Sequence, residues 1–178
     1  MKGLLFALVI ALAPAAVLAA PELLYGFESG TDGWVAEWGL KGQPTNSTRY
    51  TRQGESAMML QHRFSKKDNN VGVRIVFDQA QDFAAKPGFA GFSAWIYLPS
   101  GNGWEAQLYL HFGDDWKWAF GKLYSNLQPG WHQIFMRAEE IEDAGRIRDL
   151  GIQIKNHKLE GDASIYIDRV EMLTDNGK

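Results

Sequence analysis

The sequence predicts an all-β protein built as an antiparallel β-sandwich. Short segments rich in Val, Ile, Tyr, Phe and Trp recur along the chain, and Gly, Pro, Asn and Asp separate them. Apolar and polar residues alternate within several of these segments, as in strands that bury only one face. A single segment, "AEEIEDAGRIRDL", has helical character, and it predicts a short acidic turn rather than a sustained amphipathic helix.

The first residues precede the predicted fold. Lys2 is followed by the apolar run "LLFALVIALAPAAVLAA", which ends in small residues as secretory signal peptides do. We expect a signal peptide at residues 1–19, cleavage after Ala19, and a single domain at residues 20–178. A retained membrane anchor is the alternative, but Pro14 interrupts the run, which is short for a membrane span. The mature protein is therefore expected to be secreted, extracellular or periplasmic, with no membrane contact.

Composition excludes several classes of protein. The 178-residue chain has a formal net charge of −3, which becomes −4 without Lys2, and it contains no basic block. Nucleic acid and anionic membranes are therefore not expected as partners. The chain has no cysteine, so disulfides, thiol catalysis, cysteine-based zinc sites and an N-terminal lipid anchor on cysteine are all excluded.

The predicted strands follow one another with short turns between them. No repeat, low-complexity tract or linker interrupts them, which supports one domain after Ala19. In chain order the predicted strands are "LLYGFE", "WVAEWGL", "STRYTR", "SAMMLQHRF", "VGVRIVF", "GFSAWIYLP", "EAQLYLHF", "WKWAF", "HQIFMRA", "LGIQIKN" and "ASIYIDRVEM".

Alternation assigns the side chains of three strands to two faces. The inward, apolar set is Val73, Ile75, Phe77, Ala106, Leu108, Leu110, Phe112, Leu150, Ile152 and Ile154. The outward set is Arg74, Gln107, Tyr109, His111, Gln153 and Lys155. This outward set is richer in planar hydrogen-bonding groups than a merely solvated face requires.

Tryptophan is frequent, with seven residues in the chain, and two of them lie in "FGDDWKWAFG". Asp114 and Asp115 are expected to turn the chain, and alternation then places Trp116 and Trp118 on one face of an extended segment. Such a pair can pack in a half-buried edge strand or form a platform for a ligand. A tryptophan ring offers a large rigid surface on which the C–H face of a sugar can pack.

The chain resembles a known family in the order of several of its motifs. These are "YGFESGTDGW", "GESAMML", "FSAWIYLP", "AQLYLHFGDDWKWAFG", "LQPGWHQIFM", "IRDLGIQIKN" and "ASIYIDRVEML". In this order they resemble the β-jelly-roll carbohydrate-binding modules, galactose-binding-domain-like in fold, that accompany mannanases, xylanases and glucanases. The resemblance covers nearly all of residues 20–178. It implies a jelly roll that binds a β-linked polysaccharide, without catalysis, on an aromatic-lined concave sheet face.

The resemblance also implies binding residues. The stretch "GDDWKWAFG" is similar to the tryptophan-bearing segment that follows a central strand in the family, so Trp116 and Trp118 are candidate stacking residues. Trp38 resembles an early-loop tryptophan of mannan-binding members. The further candidates are Tyr109, His111, Gln153, Lys155 and Arg74. Trp34 and Trp131 are expected to be structural, and the roles of Trp95 and Tyr97 stay open.

The same resemblance implies a structural calcium ion between the first and last strands. Glu28 in "GFESG" and Asp168 in "YIDRV" match the two carboxylate positions of the family, with carbonyl ligands expected from residues 54–56. Oxygen ligands from distant segments suit calcium. The alternative is that Glu28 is a turn acid and that Asp168 pairs with a basic neighbour such as Arg169.

Jelly-roll folds also occur in polysaccharide lyases and glycosidases. A glycosidase needs two facing carboxylates, but the one dense acidic cluster, residues 139–143, lies in the predicted turn. A lyase needs a proton-abstracting Tyr or His beside basic groups, which Tyr109, His111, Lys155 and Arg74 could supply.

A third alternative is an envelope domain that is structural or binds other proteins. The family's modules are usually appended to a catalytic domain, and we see no such domain in this chain. We therefore expect polysaccharide binding by a protein that is not itself an enzyme, with a separate glycan-degrading enzyme as its expected partner.

Overall fold

The computed structural model describes residues 20–175. The predicted signal peptide, residues 1–19, lies outside the described residues. Within them the chain forms two six-stranded antiparallel sheets. No helix in this part of the chain is long and apolar enough to cross a membrane.

One sheet, sheet A, has the strand order β10-β6-β12-β4-β3. Strand β12 is long enough to pair with β4 over its first half and with the short β1 over its second half. The strands of sheet A are β1 (Glu22–Tyr25), β3 (Thr45–Ser47), β4 (Ala57–Phe64), β6 (Phe89–Leu98), β10 (Gly130–Arg137) and β12 (Gly161–Thr174).

The other sheet, sheet B, has the order β2-β5-β11-β7-β8. Strand β7 pairs with β8 near its end and with β9 near its start. The strands of sheet B are β2 (Val35–Glu37), β5 (Asn70–Gln81), β7 (Trp104–Phe112), β8 (Lys117–Phe120), β9 (Tyr124–Leu127) and β11 (Ile147–Asn156).

The two sheets enclose one apolar core. It contains the predicted inward side chains of β5, β7 and β11, and Phe77 packs partly buried against it. Sheet A contributes the alternate residues of its own strands, such as Leu60, Ile96 and Ile165. Trp34 is buried in this core as predicted. Because inward positions are apolar in both sheets, alternation in the sequence assigned the faces of these strands correctly.

The structure corrects two details of the predicted strands and confirms the predicted acidic turn. Strand β3 ends at Ser47, so most of the predicted strand "STRYTR" is a loop that leads to β4. Strand β9 (Tyr124–Leu127) was not predicted, because its polar sequence "YSNL" lacks the alternation of a half-buried strand. The predicted acidic turn is confirmed as one turn of 3₁₀ helix, Ala138–Glu140, and the remaining acids of its cluster follow in the loop before β11.

Candidate functional site

The outer face of sheet B collects most of the predicted site residues. Strands β5, β11, β7 and β8 lie side by side, and their register sets Arg74, Gly151 and Tyr109 in one row. The next row holds Asp149, His111 and Trp118. The short strand β2 adds Glu37 opposite Gly72 at the other edge. Residues far apart in the sequence therefore meet on one surface.

Four charged or titratable side chains form a continuous network on this face, hereafter the charge network: Glu37, Arg74, Asp149 and His111. Arg74 Nε lies 2.6 Å from Glu37 Oε2, although its N–H does not point at this oxygen, so the contact is an ion pair. Arg74 Nη1 donates to Asp149 Oδ2 over 3.1 Å. Asp149 is fully buried and also accepts the His111 backbone N–H over 2.7 Å.

The imidazole of His111 completes this network. Its Nδ1 lies 2.7 Å from Asp149 Oδ2 and 2.9 Å from Oδ1. A carboxylate can only accept hydrogen bonds, so Nδ1 carries the proton and the ring orientation is fixed. Buried charges are stable only when they are paired and hydrogen-bonded, and here each charge has an opposite partner.

Tyr109 lies outward by alternation but is completely buried. Its hydroxyl donates to Glu37 Oε2 over 3.1 Å. Its ring lies over Gly151, where a Cβ would come within 2.0 Å of the ring. Burial, together with the negative charges of Glu37 and Asp149, raises the pKa of the Tyr109 hydroxyl far above its usual range, against the opposing effect of Arg74.

Four aromatic side chains cover this network and form what we call the aromatic platform: Trp38, Trp116, Trp118 and Phe120. Trp118 stacks on Phe120 with an interplanar angle of 6° and on Trp38 at 19°. Trp38 lies over Gly72, and its ring centroid is 4.6 Å from that of Tyr109. Trp116, Trp118 and Phe120 are each more than 40% exposed. The platform is thus a large aromatic surface with a polar layer beneath it.

Trp116 reaches the platform differently from the prediction. Residues 113–116 form the turn that Asp114 and Asp115 were expected to make, so Trp116 is not in an extended segment with Trp118. Its φ is 53°, a left-handed conformation that is uncommon for a residue other than glycine. Both rings nevertheless contact His111, with centroid distances of 5.7 Å for Trp116 and 3.8 Å for Trp118.

The amides on this face bond to each other. Gln107 and Gln153 are adjacent in register and nearly buried, and Gln107 Nε2 donates to Gln153 Oε1 over 2.6 Å. Lys155 pairs in register with Glu105, four residues from Tyr109 along β7. At the usual strand rise this is about 13 Å from Tyr109, so Lys155 lies beyond Gln153, towards the Trp38 side of this face and away from Trp118.

Sequence reasoning missed several residues of the site. Phe120 has the same parity as Trp118 in "WKWAF", so alternation alone could have identified it. Asp149 immediately precedes the segment "LGIQIKN" and shares the outward parity of Gln153. The sequence does not indicate the role of Glu37, nor that Gly72 and Gly151 leave space for aromatic rings. Both features depend on contacts between different strands.

A second group of side chains holds the loop between β3 and β4. Glu28 Oε2 accepts the backbone N–H groups of Glu55 and Ser56, over 2.8 and 3.2 Å. Asp168 Oδ2 accepts those of Arg52 and Gln53, over 2.7 and 3.0 Å. Two carboxylates from opposite ends of the chain therefore fix this loop.

The same two carboxylates fit the predicted calcium site in part. Asp168 Oδ1 is buried without a hydrogen-bond partner among the described residues. Burial raises the pKa of Asp168, backbone hydrogen bonds oppose this, and the nearby Glu28 charge raises it further. Arg169 does not neutralise Asp168, because its side chain pairs with Glu171. Residues 20–175 contain no group of three or more His, Cys, Asp or Glu side chains placed to hold a metal, so an ion here would also need carbonyl or water ligands.

Two packed antiparallel sheets with an aromatic outer face define a β-sandwich of the jelly-roll class. The particular family follows from the sequence: residues 25–169 match the family described as "mannanase, galactose-binding domain-like". The chain belongs to this family. The resemblance found in the sequence motifs is therefore confirmed. No curated protein matches the sequence significantly.

Solved structures share the fold at low sequence identity. A carbohydrate-binding module, CBM28, described as specific for non-crystalline cellulose is 15% identical with a TM-score of 0.65, covering 86% of this chain and 95% of that one. The CBM22-1 xylan-binding domain of Paenibacillus barcinonensis Xyn10C is 12% identical with a TM-score of 0.54, covering 94% and 100%.

A third structure comes from work on promiscuous carbohydrate-binding modules of the β-sandwich superfamily. It is 19% identical with a TM-score of 0.64, and the match covers 85% of this chain. The chain spans only 61% of the length of that protein. At these identities the comparisons establish the jelly-roll fold.

Proposed function

We propose that this protein binds a β-linked polysaccharide across the aromatic platform of sheet B, without catalysis. The observation that carries the proposal is the exposed stack of Trp118 on Phe120 and Trp38, fixed from below by a buried charge network. Exposed apolar surface of this kind is unfavourable unless a ligand covers it. Sugar rings match it, because their C–H faces pack on indole rings while their hydroxyls bond at the edges.

Backbone conformation supports the same proposal. Trp38 and Trp116 both have positive φ values, 36° and 53°. Such conformations cost roughly 1–3 kcal/mol each and concentrate at functional sites. The fold therefore holds one half-buried and one exposed tryptophan of the platform, Trp38 and Trp116, in left-handed backbone conformations.

Mannan is the first ligand to test, because the family is described by its association with mannanases. Xylan and β-glucan are the other candidates, since similar folds occur in modules described as binding xylan, cellulose or a mixed-linked β-1,3-1,4 tetrasaccharide. We further propose that the protein is secreted and acts beside a separate glycan-degrading enzyme. Similar modules occur fused to a xylanase catalytic module.

Two of the lyase candidates, Tyr109 and Arg74, are engaged in structural contacts. A lyase needs a Tyr or His that can take a proton and a cation that can neutralise a uronate. Tyr109 is buried, donates to Glu37 and has a raised pKa. Arg74 is already shared by Glu37 and Asp149. This geometry disfavours Tyr109 as a proton-abstracting base and Arg74 as the cation that neutralises a uronate.

Affinity electrophoresis tests the proposed function. Native gels would contain mannan, xylan, β-glucan or alginate, and wild type would run beside Trp118→Ala and Trp116→Ala. We expect retardation in at least one neutral polymer and a loss of affinity of about tenfold or more in Trp118→Ala, because a stacking surface is removed. Leu23→Ala is the control, since Leu23 is equally exposed but lies on sheet A.

Two results would overturn the platform proposal. Free migration of the wild type in all four gels would exclude these polymers as ligands. Retardation that is undiminished in both tryptophan variants would place binding elsewhere. Release of oligosaccharide products during prolonged incubation would instead favour the enzyme alternative.

We also propose that Glu28 and Asp168 hold a structural calcium ion. The unpartnered Asp168 oxygen and its raised pKa support this proposal, because a bound cation would favour the ionised carboxylate. Such an ion would neutralise two carboxylates that have no ion-pair partner among residues 20–175. It would also tie the β3–β4 loop to β12 in a protein without cysteine.

Thermal unfolding with calcium and with EDTA tests the calcium proposal. We expect calcium to raise the Tm of the wild type and to leave Asp168→Asn unchanged; Asp162→Asn, an exposed residue of the same strand, is the control. In EDTA, the raised pKa means that the folded wild type binds more protons than the unfolded chain near that pKa. Its stability relative to Asp168→Asn should therefore rise as the pH falls. An unchanged wild-type Tm with calcium would contradict the proposal.

A further inference from the structure

The outer face of sheet A carries a second cluster of aromatic side chains. Register places Trp131, Tyr97 and Tyr166 in one row across β10, β6 and β12. Tyr50, from the loop after β3, stacks on Tyr97 with ring centroids 4.2 Å apart and an interplanar angle of 16°. The Trp131 ring meets Tyr97 edge to face at 5.5 Å. Trp131 is thus not a core residue, and Tyr97 belongs to the face opposite the aromatic platform.

Two adjoining cavities open beside this cluster. One has a volume of about 350 Å³, and Tyr50, Tyr97 and Tyr166 are among its lining residues. The other has a volume of about 400 Å³, with Gln61 and Arg63 in its lining. Both cavities share Asp162, Ala163 and Ser164 of β12. Volumes from about 300 Å³ upward are those of small-molecule sites.

The polar groups around these cavities suit hydroxyl groups. Arg63 Nη1 pairs with Asp162 Oδ2 at 3.3 Å, and both side chains are more than three-quarters exposed. Gln61 lies opposite Ser164 in register. A guanidinium, a carboxylate, an amide and a hydroxyl therefore stand next to a set of tyrosine rings. Tyr50, Tyr97 and Tyr166 are in mutual ring contact. A sheet face that only meets solvent does not require such a cluster.

We propose that this surface of sheet A binds a short segment of neutral oligosaccharide, as a second site separate from the aromatic platform. The sugar would pack against the parts of the Tyr50–Tyr97 stack that line the cavity, because the facing surfaces of the two rings cover each other. Its hydroxyls would exchange hydrogen bonds with Arg63 and Asp162. Arg63 and Asp162 neutralise each other, and Arg49, which also lines the tyrosine cavity, can donate further hydrogen bonds to sugar hydroxyls.

The loop that presents Tyr50 is already fixed. After Tyr50, the backbone N–H groups of residues 52 and 53 donate hydrogen bonds to Asp168, and those of residues 55 and 56 donate to Glu28. Tyr50 is therefore held over Tyr97 by two carboxylates rather than by its own stacking alone. A preorganised ring of this kind loses little entropy when a ligand binds.

Two sites on opposite sheets would make the protein bivalent. One copy could hold two polysaccharide chains, or two points of one chain, and the second contact would gain from the effective concentration set by the first. Binding to long polymers should then be tighter than binding to trisaccharides.

Chemical-shift titration with the full mature chain tests this proposal. The ¹⁵N-labelled Trp118→Ala protein would be titrated with mannotriose, xylotriose and cellotriose. We expect saturable shifts at Gln61, Tyr97 and Ser164 with at least one of them. Adding Arg63→Ala or Tyr50→Ala to this background should raise Kd at least tenfold. Arg146→Ala is the matched control, since Arg146 is also an exposed arginine paired with an aspartate.

The outcomes separate this site from the platform. Wild-type shifts confined to β7 and β8, with none on sheet A, would overturn the second site and leave the platform proposal intact. Shifts on sheet A that titrate with an unchanged Kd in both the Arg63→Ala and the Tyr50→Ala variants would also overturn it. Absence of shifts anywhere in the wild type, with all three sugars, would contradict both proposals.

Discussion

Asp149 is the residue on which the outer face of sheet B depends most. It is fully buried, and it accepts hydrogen bonds from Arg74 and from both the backbone and the ring of His111. Arg74 in turn contacts Glu37, which receives the Tyr109 hydroxyl. One carboxylate thus links the groups on which the aromatic rings rest.

Replacing Asp149 by Asn should therefore destabilise the protein strongly. The substitution keeps an acceptor for the His111 N–H but removes the charge that balances Arg74. Breaking a buried ion pair by removing one partner costs about 3–5 kcal/mol. Urea unfolding would measure the loss. Asp78→Asn, at an exposed position of β5, is the control and should change stability little. A loss below about 1 kcal/mol would show that the charge network does not stabilise this face.

At the scale of elements, the central strands of sheet B make room for rings by using glycine. Gly72 on β5 lies under Trp38, and Gly151 on β11 lies under Tyr109. A Cβ at Gly72 would come within 2.5 Å of the Trp38 ring. Strand propensity disfavours glycine in these positions, so its presence is explained by the close approach of an aromatic side chain.

Gly72→Ala should displace Trp38 and weaken the platform. We expect a stability loss of about 1–3 kcal/mol from overpacking, a change in tryptophan fluorescence, and reduced polysaccharide retardation. Gly42→Ala serves as control, because a Cβ there would have no neighbour within 4 Å and its backbone is not left-handed. Unchanged fluorescence in Gly72→Ala would mean that Trp38 does not rest on this strand.

At the scale of the whole molecule, the described residues share one core. Side chains from sheets A and B meet in a single cluster, so neither sheet can keep its inner face covered without the other. The aromatic platform and the tyrosine cluster lie on the two outer faces of this sandwich. They should lose their structure together when the core unfolds.

Leu108→Ala tests this coupling. Leu108 is fully buried, and large-to-small core substitutions of this kind cost about 2–5 kcal/mol. Tryptophan fluorescence and near-ultraviolet circular dichroism of tyrosine should report one common midpoint, shifted to lower denaturant. Leu23→Ala, at an exposed position, should leave the midpoint in place. Two separate midpoints would show that the protein does not unfold in one cooperative step.

The sequence by itself determined the class of fold and the direction of most side chains. Alternation in "EAQLYLHF" and "LGIQIKN" placed Leu108 and Ile152 inside and Tyr109 and Gln153 outside, because side-chain direction in a strand is set locally by the backbone. The order of the motifs determined the family, and the missing cysteines excluded thiol chemistry. The platform tryptophans were predicted from the sequence as well, although Trp116 reaches the platform from a turn.

Only the tertiary structure decided which outward residues are exposed. Tyr109 and His111 point outward yet are buried, because Trp38 comes from a distant loop and Trp118 from the neighbouring strand. The partners of Arg74 lie 37 positions before it, at Glu37, and 75 positions after it, at Asp149. Parity is a property of one strand, whereas burial and charge pairing depend on segments that only the fold brings together.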